Sequence, residues 1–313
     1  MVTKHPLISV CMPVYNAERH LAQAVESIRA QTLRDFEFLI LDDGSTDRSM
    51  DVLRPYADRD KRVKLTTRPN KGLTKTLNEL FRQSQGEFIA RMDCDDVALP
   101  DRFATQLAAL RSDPALVCVG GCFQLIDADG RVLTTLKPPA DDAEIQRQAL
   151  AGHGSICHPT AMIRREALAK IGGYEEEFKI AQDLDLWLRL GEVGKLGNVP
   201  QTVLKFRLHE GSVSEKKGLE QRKFARMACE RAWQRRGMTD AVFEAAEPWR
   251  PGTDAESRMG FALKYGWWAF NSGERRTALH YGVRAVRAKP LRAEPWKLLL
   301  CAAVKNPRQK AEG

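Results

Sequence analysis

The chain has 313 residues, 43% hydrophobic and 29% charged, which is enough apolar mass for one large or two ordinary domains and too much for a disordered chain. No apolar run approaches the roughly 20 residues of a membrane span. The net charge of +8 is unevenly spread: residues 1–200 hold 26 Lys+Arg against 29 Asp+Glu, and residues 201–313 hold 23 against 12, so the basic character belongs to the last third.

The N-terminus leads straight into an apolar strand pattern and offers no secretory h-region. The seven cysteines form no CxxC pair and no metal-ligand spacing, and Cys11, Cys118 and Cys122 lie in apolar runs as buried thiols. An odd count in such a chain fits a reducing, cytoplasmic setting.

Residues 7–12, Leu-Ile-Ser-Val-Cys-Met, form a short, nearly continuous apolar run, the pattern of a strand covered on both faces. Pro13-Val14-Tyr15-Asn16 ends it. Leu21, Val25 and Ile28 then recur at helical spacing, with Asn16 expected to cap the helix. Residues 36–41 read as a second buried strand, ending in Asp42-Asp43-Gly44-Ser45-Thr46-Asp47, a turn suited to a helix start. Residues 62–66 read as a third strand. The turn Arg68-Pro69-Asn70-Lys71-Gly72 follows, then a helix marked by Leu73, Leu77 and Leu80. Residues 87–90 form a fourth strand. Strands alternating with helices predict a parallel, doubly wound sheet, and right-handed crossovers place all four polar loops on one edge.

The fourth loop is Arg91-Met92-Asp93-Cys94-Asp95-Asp96, three carboxylates within four residues. Like charges packed this closely resist ionising unless a cation sits among them, and oxygen ligands of this kind suit Mg²⁺ or Mn²⁺. The competing reading is a solvated acidic turn with Asp95 or Asp96 capping a helix that starts near Pro100. A dinucleotide-binding dehydrogenase is disfavoured because the first strand–helix turn contains no glycine, and the Walker A pattern is absent.

Five blocks carry a family resemblance. They are Pro-Val-Tyr-Asn through Leu-Asp-Asp-Gly-Ser-Thr-Asp at 13–47, Arg-Met-Asp-Cys-Asp-Asp with Leu-Pro-Asp-Arg-Phe at 91–103, His158-Pro159-Thr160, Gly172-Gly173-Tyr174, and Gln182-Asp183-Leu184-Asp185-Leu186-Trp187. In this order they resemble an inverting family 2 glycosyltransferase of the GT-A fold. The resemblance implies an α/β architecture, a Rossmann-like, mostly parallel sheet flanked by helices. Residues 1–214 would be catalytic, with a nucleotide half to about 100 and an acceptor half after it. Residues 215–313 would add a basic helical extension.

By the same resemblance, the donor is a nucleotide-diphosphate sugar, uridine-based, held by Pro13, Tyr15, Asn16, Asp42, Asp43, Arg68, Asp93 and Asp96. Tyr15 would stack on the base and Asp43 accept a hydrogen bond from it. Arg68 and Lys71 would reach the phosphates. Mn²⁺ or Mg²⁺ would be held by Asp95 and Asp93, with His209 from Arg207-Leu208-His209 as a further candidate. His158, Gly173 and Tyr174 would lie on the acceptor side, and the acceptor would be a glycan or lipid-linked hydroxyl in cell-surface polysaccharide or other glycan synthesis.

Inverting transfer needs a base opposite the leaving group, by analogy with inverting sugar hydrolysis. Asp183 is the candidate; the bland reading is that it only caps its helix. Family members carry Glu-Asp here, whereas this chain has Gln182-Asp183. Asp185 and Arg189, four apart, read as a structural ion pair. A non-catalytic nucleotide-sugar-binding or scaffold protein and a sugar nucleotidyltransferase remain alternatives.

After about residue 214 the pattern turns helical, with aromatics from Phe261 to Phe270 and a last helix over 296–304. Arg, Lys and Trp there suit a membrane surface at the inner face of the cytoplasmic membrane; the alternative is a helical cap with a solvated basic face. Nucleic-acid motifs are absent.

Overall fold

The computed structural model describes residues 5–208, 218–244 and 255–304. The chain divides into two compact units, residues 1–123 with 137–205 and 219–246, and residues 124–136 with 206–218 and 247–313.

The first unit is built on four parallel strands, β1 (Ile8–Val14), β2 (Phe36–Asp42), β3 (Val63–Thr67) and β4 (Phe88–Arg91), in the order β3-β2-β1-β4. Every residue of β1, β2 and β4 is buried, as continuous apolar runs require, whereas the edge strand β3 is largely open. The helices between them are α1 (Leu21–Arg29), α2 (Ser49–Arg59) and α3 (Leu73–Gln83). Leu21, Ala24, Val25 and Ile28 put one face of α1 in the core.

The register decides where the loops go. Val14 pairs with Asp42, Asp42 with Thr67, and Cys11 with Arg91. The ends of all four strands therefore share one edge, as the alternation of strands and helices predicts.

Beyond β4 the sheet continues through β8 (Met162–Arg164), antiparallel to both of its neighbours, then β6 (Leu116–Ile126), β9 (Lys195–Arg207) and β5 (Val97–Ala98), the last antiparallel to β9. Helices α4 (Arg102–Ser112), α5 (Asp142–Leu150), α6 (Arg165–Lys170) and α7 (Gln182–Leu190) complete the chain up to β9. Trp187 of α7 is fully buried among Leu39, Leu77, Ile89 and Ile163. Leu184 and Leu188, on another face of α7, pack with Ala228, Cys229 and Ala232 of α8 (Gly218–Arg236). That helix, which sequence pattern groups with the basic extension, thus belongs to the first unit.

In the second unit the end of β6 turns through 127–131 into β7 (Val132–Leu136). Its described residues further include three helices, α9 (Ala255–Asn271), α10 (Arg275–Ala288) and α11 (Ala293–Val304). They approach closely through small residues, Ala269, Ala278 and Ala302. The Tyr281 hydroxyl donates to Asp127 Oδ2 at 3.1 Å. No helix among the described residues is long and apolar enough to cross a membrane.

Candidate active site

Tyr15 leaves the end of β1 with 52% of its surface exposed, so its ring face is open to a ligand. Asn16 does not cap α1: that helix starts at Leu21, behind His20. Asn16 instead takes a left-handed backbone (φ 50°), accessible to Asn at low cost, and bridges two loops. Its N–H donates to Ser45 Oγ at 2.9 Å, and its Oδ1 accepts from the Thr46 N–H at 2.8 Å. Pro13 is buried in β1 opposite Leu41.

Asp42 and Asp43 end β2 and are both buried. Asp42 accepts from the Thr67 hydroxyl at 2.8 Å and the Ser45 N–H at 3.2 Å, which ties the end of β2 to that of β3. Asp43 pairs with the Arg68 guanidinium and accepts the N–H groups of Lys71 and Gly72, each at 2.9 Å. Arg68 also donates to Glu79 at 2.8 Å and to the Thr76 hydroxyl at 2.9 Å. The second and third loops are therefore locked together by this pair, and Arg68 is directed onto carboxylates of the chain. Lys71 is exposed.

The acidic run follows β4. Asp95 does not cap the next helix, and neither does Asp96, because α4 begins only at Arg102, behind Asp101. Asp93 and Asp95 are half-buried and Asp96 is buried. Beneath them lie two arginines that sequence reading passes over as site residues. Arg91 is 2% exposed and donates to Asp93 at 2.5 Å. Arg102, also buried, donates to the carbonyls of Arg91 at 2.7 Å and Ala161 at 3.3 Å and to Gln106 Oε1 at 3.0 Å. Burial pushes the Arg102 pKa down to about 9. Arg91 thus supplies a buried cation directly to Asp93 of the carboxylate run. The only trace of the two arginines in the sequence is that one stands at each side of the run.

Among the described residues no three His, Cys, Asp or Glu side chains gather as a metal centre. A half-exposed Asp95 with Asp93 beside it still fits Mg²⁺ or Mn²⁺, which takes one or two carboxylates and completes its octahedron with phosphate oxygens and water.

Asp183 stands in the first turn of α7. The N-cap of that helix is Ala181, with φ 57° and no side-chain cap, so Asp183 is not the capping residue. Its Oδ1 accepts the Leu184 N–H at 2.9 Å. Its solvent exposure is intermediate, but burial still raises its pKa above the ordinary carboxylate value; the charge of Asp93 adds to the rise, while the Leu184 N–H and Arg91 oppose it. Cys157 reports the same convergence: burial raises its thiol pKa, and Asp96, Asp93 and Asp183 raise it further. Asp93 is thus electrostatically coupled to Asp183, and Cys157 to Asp93, Asp96 and Asp183. Cys157 carries no sequence signal beyond standing next to His158.

His158 and Tyr174 are interior. His158 Nε2 and the Tyr174 hydroxyl share a hydrogen bond of 2.8 Å, and the His158 ring meets Trp187 edge-on at 5.9 Å. Burial, then Arg91, holds the His158 pKa well below its usual value, so the ring is neutral. Gly173 (φ 79°) turns the chain where a Cβ would meet Asn78 Oδ1 at 2.8 Å. Arg189 donates to the carbonyls of Ile171 and Gly173 and pairs with Asp185 at 2.6 Å, the ion pair expected from their spacing. Of the residues singled out from sequence, Asp93 and Asp183 are electrostatically coupled, and His158 and Tyr174 are joined by a buried hydrogen bond. His209 lies outside the described residues.

The sequence profile described as Glycosyl transferase family 2 matches residues 9–172. A putative glycosyltransferase, EpsE of Bacillus subtilis, is 33% identical over 211 residues, covering 64% of this chain and 73% of that protein. The chondroitin synthase of Escherichia coli is 32% identical over 213 residues, 68% of this chain but 30% of that protein, so the chain spans less than a third of the synthase. Among solved structures, a mannosyltransferase from Pyrobaculum calidifontis in complex with GDP-Man and Mn²⁺ superposes with a TM-score of 0.53 at 20% identity, over 99% of this chain and 89% of that one. Residues 1–349 of Staphylococcus aureus TarS in complex with UDP-GlcNAc give a TM-score of 0.56 at 17% identity, over 96% and 88%. At these identities the structural likeness speaks for the fold, and the profile with the relatives speaks for the lineage. The chain belongs to glycosyl transferase family 2 and has the GT-A fold.

Proposed function

We propose that the chain transfers a sugar, with inversion, from a uridine-diphosphate sugar to a hydroxyl of a glycan or lipid-linked acceptor, and that transfer depends on Mn²⁺ or Mg²⁺. The observation that carries this reading is the electrostatic coupling of the half-buried Asp183 to Asp93 of the acidic run, separate carboxylates suited to separate tasks. Asp183 takes the proton of the attacking hydroxyl as a general base. Its raised pKa suits a group that must bind a proton in the transition state. Asp95, with Asp93, would hold the cation, which neutralises the departing diphosphate when bound. Tyr15 offers a face for the base. Asp43 and Arg68 brace the loop beside it. Arg91 holds Asp93 in place, and Arg102 holds the Arg91 carbonyl beside it. All these residues fall within 1–214, the stretch read as catalytic.

Support for a nucleotide-sugar donor comes from the complexes of the two structural neighbours, one with GDP-Man and Mn²⁺ and one with UDP-GlcNAc. Support for a role in polysaccharide assembly comes from the chondroitin synthase relative.

The test is incubation with UDP- and GDP-sugars, Mn²⁺ and a panel of glycan and lipid-linked acceptors, reading product and released nucleotide. Sugar transfer with release of nucleoside diphosphate, lost on chelation and in a folded Asp95→Ala variant, is expected. Pyrophosphate release would instead mark a nucleotidyltransferase. Metal-dependent donor binding without turnover on any acceptor would mark a binding protein.

A further inference from the structure

Helix α11 carries its apolar residues on two faces. Pro295, Leu298 and Ala302 are buried against the rest of the helical trio. Trp296, Leu300 and Val304 recur every four residues on the opposite side and are 45%, 59% and 79% exposed. A surface helix ordinarily turns charged residues to this side. The turn before it adds Leu291, which is fully exposed. With Val283 of α10, five of the eight exposed large hydrophobics among the described residues fall between 283 and 304. Isolated exposed apolar residues need no explanation, but a stripe along one helix marks a docking surface.

The chemistry at its borders names the occupant. Lys289 and Arg292 flank Leu291 in the turn, Lys297 edges the stripe, and all three are exposed. Arg275 donates to the Ala302 carbonyl at 2.8 Å and so brings a cation to the far end of α11. Residues 255–304 carry nine Lys+Arg against three Asp+Glu. An apolar stripe with a tryptophan, bordered by cations at both ends, is the composition of a helix lying in the plane of an anionic bilayer. A second copy of this chain fits less well, because it would set one cation-bordered stripe against another.

We propose that the outer face of α11, centred on Trp296, Leu300 and Val304, docks the chain on a membrane surface rich in anionic phospholipid. Apolar side chains enter the acyl boundary, while Lys289, Arg292 and Lys297 meet lipid phosphates. This proposal does not rest on the sugar-transfer reading.

The test is co-sedimentation of the full chain with vesicles of phosphatidylcholine, with and without phosphatidylglycerol. The wild type should bind the phosphatidylglycerol vesicles and be released by salt. The double variant Leu300→Glu, Val304→Glu should bind at least about tenfold more weakly, with an unchanged melting temperature. Trp296 is left in place there because its indole N–H donates to the Pro290 carbonyl at 2.8 Å and braces the turn. Arg292→Ala with Lys297→Ala should lower binding only where phosphatidylglycerol is present. Wild-type protein that ignores anionic vesicles, or binding that survives Leu300→Glu, Val304→Glu, would overturn the proposal. So would a wild-type dimer in analytical ultracentrifugation that the same pair of substitutions dissolves, since the stripe would then face a second copy.

Discussion

Asp183 and Asp93 lie within electrostatic reach of each other: burial raises the Asp183 pKa first, and the charge on Asp93 raises it further. A base must be ionised to accept a proton. Activity should therefore rise with pH through an Asp183 pKa that lies above the ordinary value of about 3.9. The acid limb of kcat/KM for the donor reports this group in the free enzyme. A limb at or below the ordinary carboxylate value would count against Asp183 as the base.

Tyr15 separates binding from folding. Its ring is more than half exposed and stands at the edge where the strand ends meet. Tyr15→Ala should leave stability within about 0.5 kcal/mol. If the ring stacks on the base, donor affinity should fall by about 1–3 kcal/mol, roughly 5- to 150-fold. Calorimetric titration of the nucleotide against wild type and variant measures it, and unchanged affinity would remove Tyr15 from the site.

Asp43 should behave in the opposite way. Its side chain and that of Arg68 are 5% and 11% exposed, and Asp43 also satisfies two backbone N–H groups. Asp43→Ala leaves a buried guanidinium with one of its two carboxylates and strands both N–H donors. A loss of about 3 kcal/mol is expected in chemical denaturation. A variant as stable as the wild type would show that the pair does not brace the loop.

The frame of the site was legible because its signals are local. Continuous apolar runs marked β1, β2 and β4, and the helical spacing of Leu21, Val25 and Ile28 marked α1; the handedness of crossovers then placed the loops on one edge. Asn16 misled because its preference for caps and its tolerance of left-handed backbone are the same trait, and sequence does not say which is used. Arg91 and Arg102 were not legible as site residues, because a buried arginine and a solvated one look alike until burial is known. The strand Leu116–Ile126 is broken in pattern by Gly120 and Gly121, whose missing side chains make room for Asn198 and Val203. Those partners are some 80 residues away, beyond any local reading. His158 and Tyr174 likewise gave no sign that they would hydrogen-bond to each other in the interior.

The buried His158 links stability to pH. Its folded-state pKa lies well below the usual value, whereas in the unfolded chain it titrates near 6.5. Below that pH the unfolded state binds the extra proton, so folding stability falls as pH falls, by up to about 1.4 kcal/mol per pH unit from this group. Denaturation midpoints between pH 7 and 5 should drop less steeply for His158→Gln than for wild type, whatever the substitution costs at neutral pH. Parallel slopes would show that His158 titrates normally in the folded protein.

The most direct measurement is single-turnover sugar transfer by Asp183→Asn alongside donor binding by the same protein. The substitution keeps size and the ability to accept the Leu184 N–H, and removes only the capacity to take a proton. Transfer should fall by about 10²- to 10⁴-fold with donor affinity and melting temperature unchanged. Transfer at the wild-type rate would contradict the assignment of Asp183 as the base and, with it, the division of labour between the two groups of carboxylates.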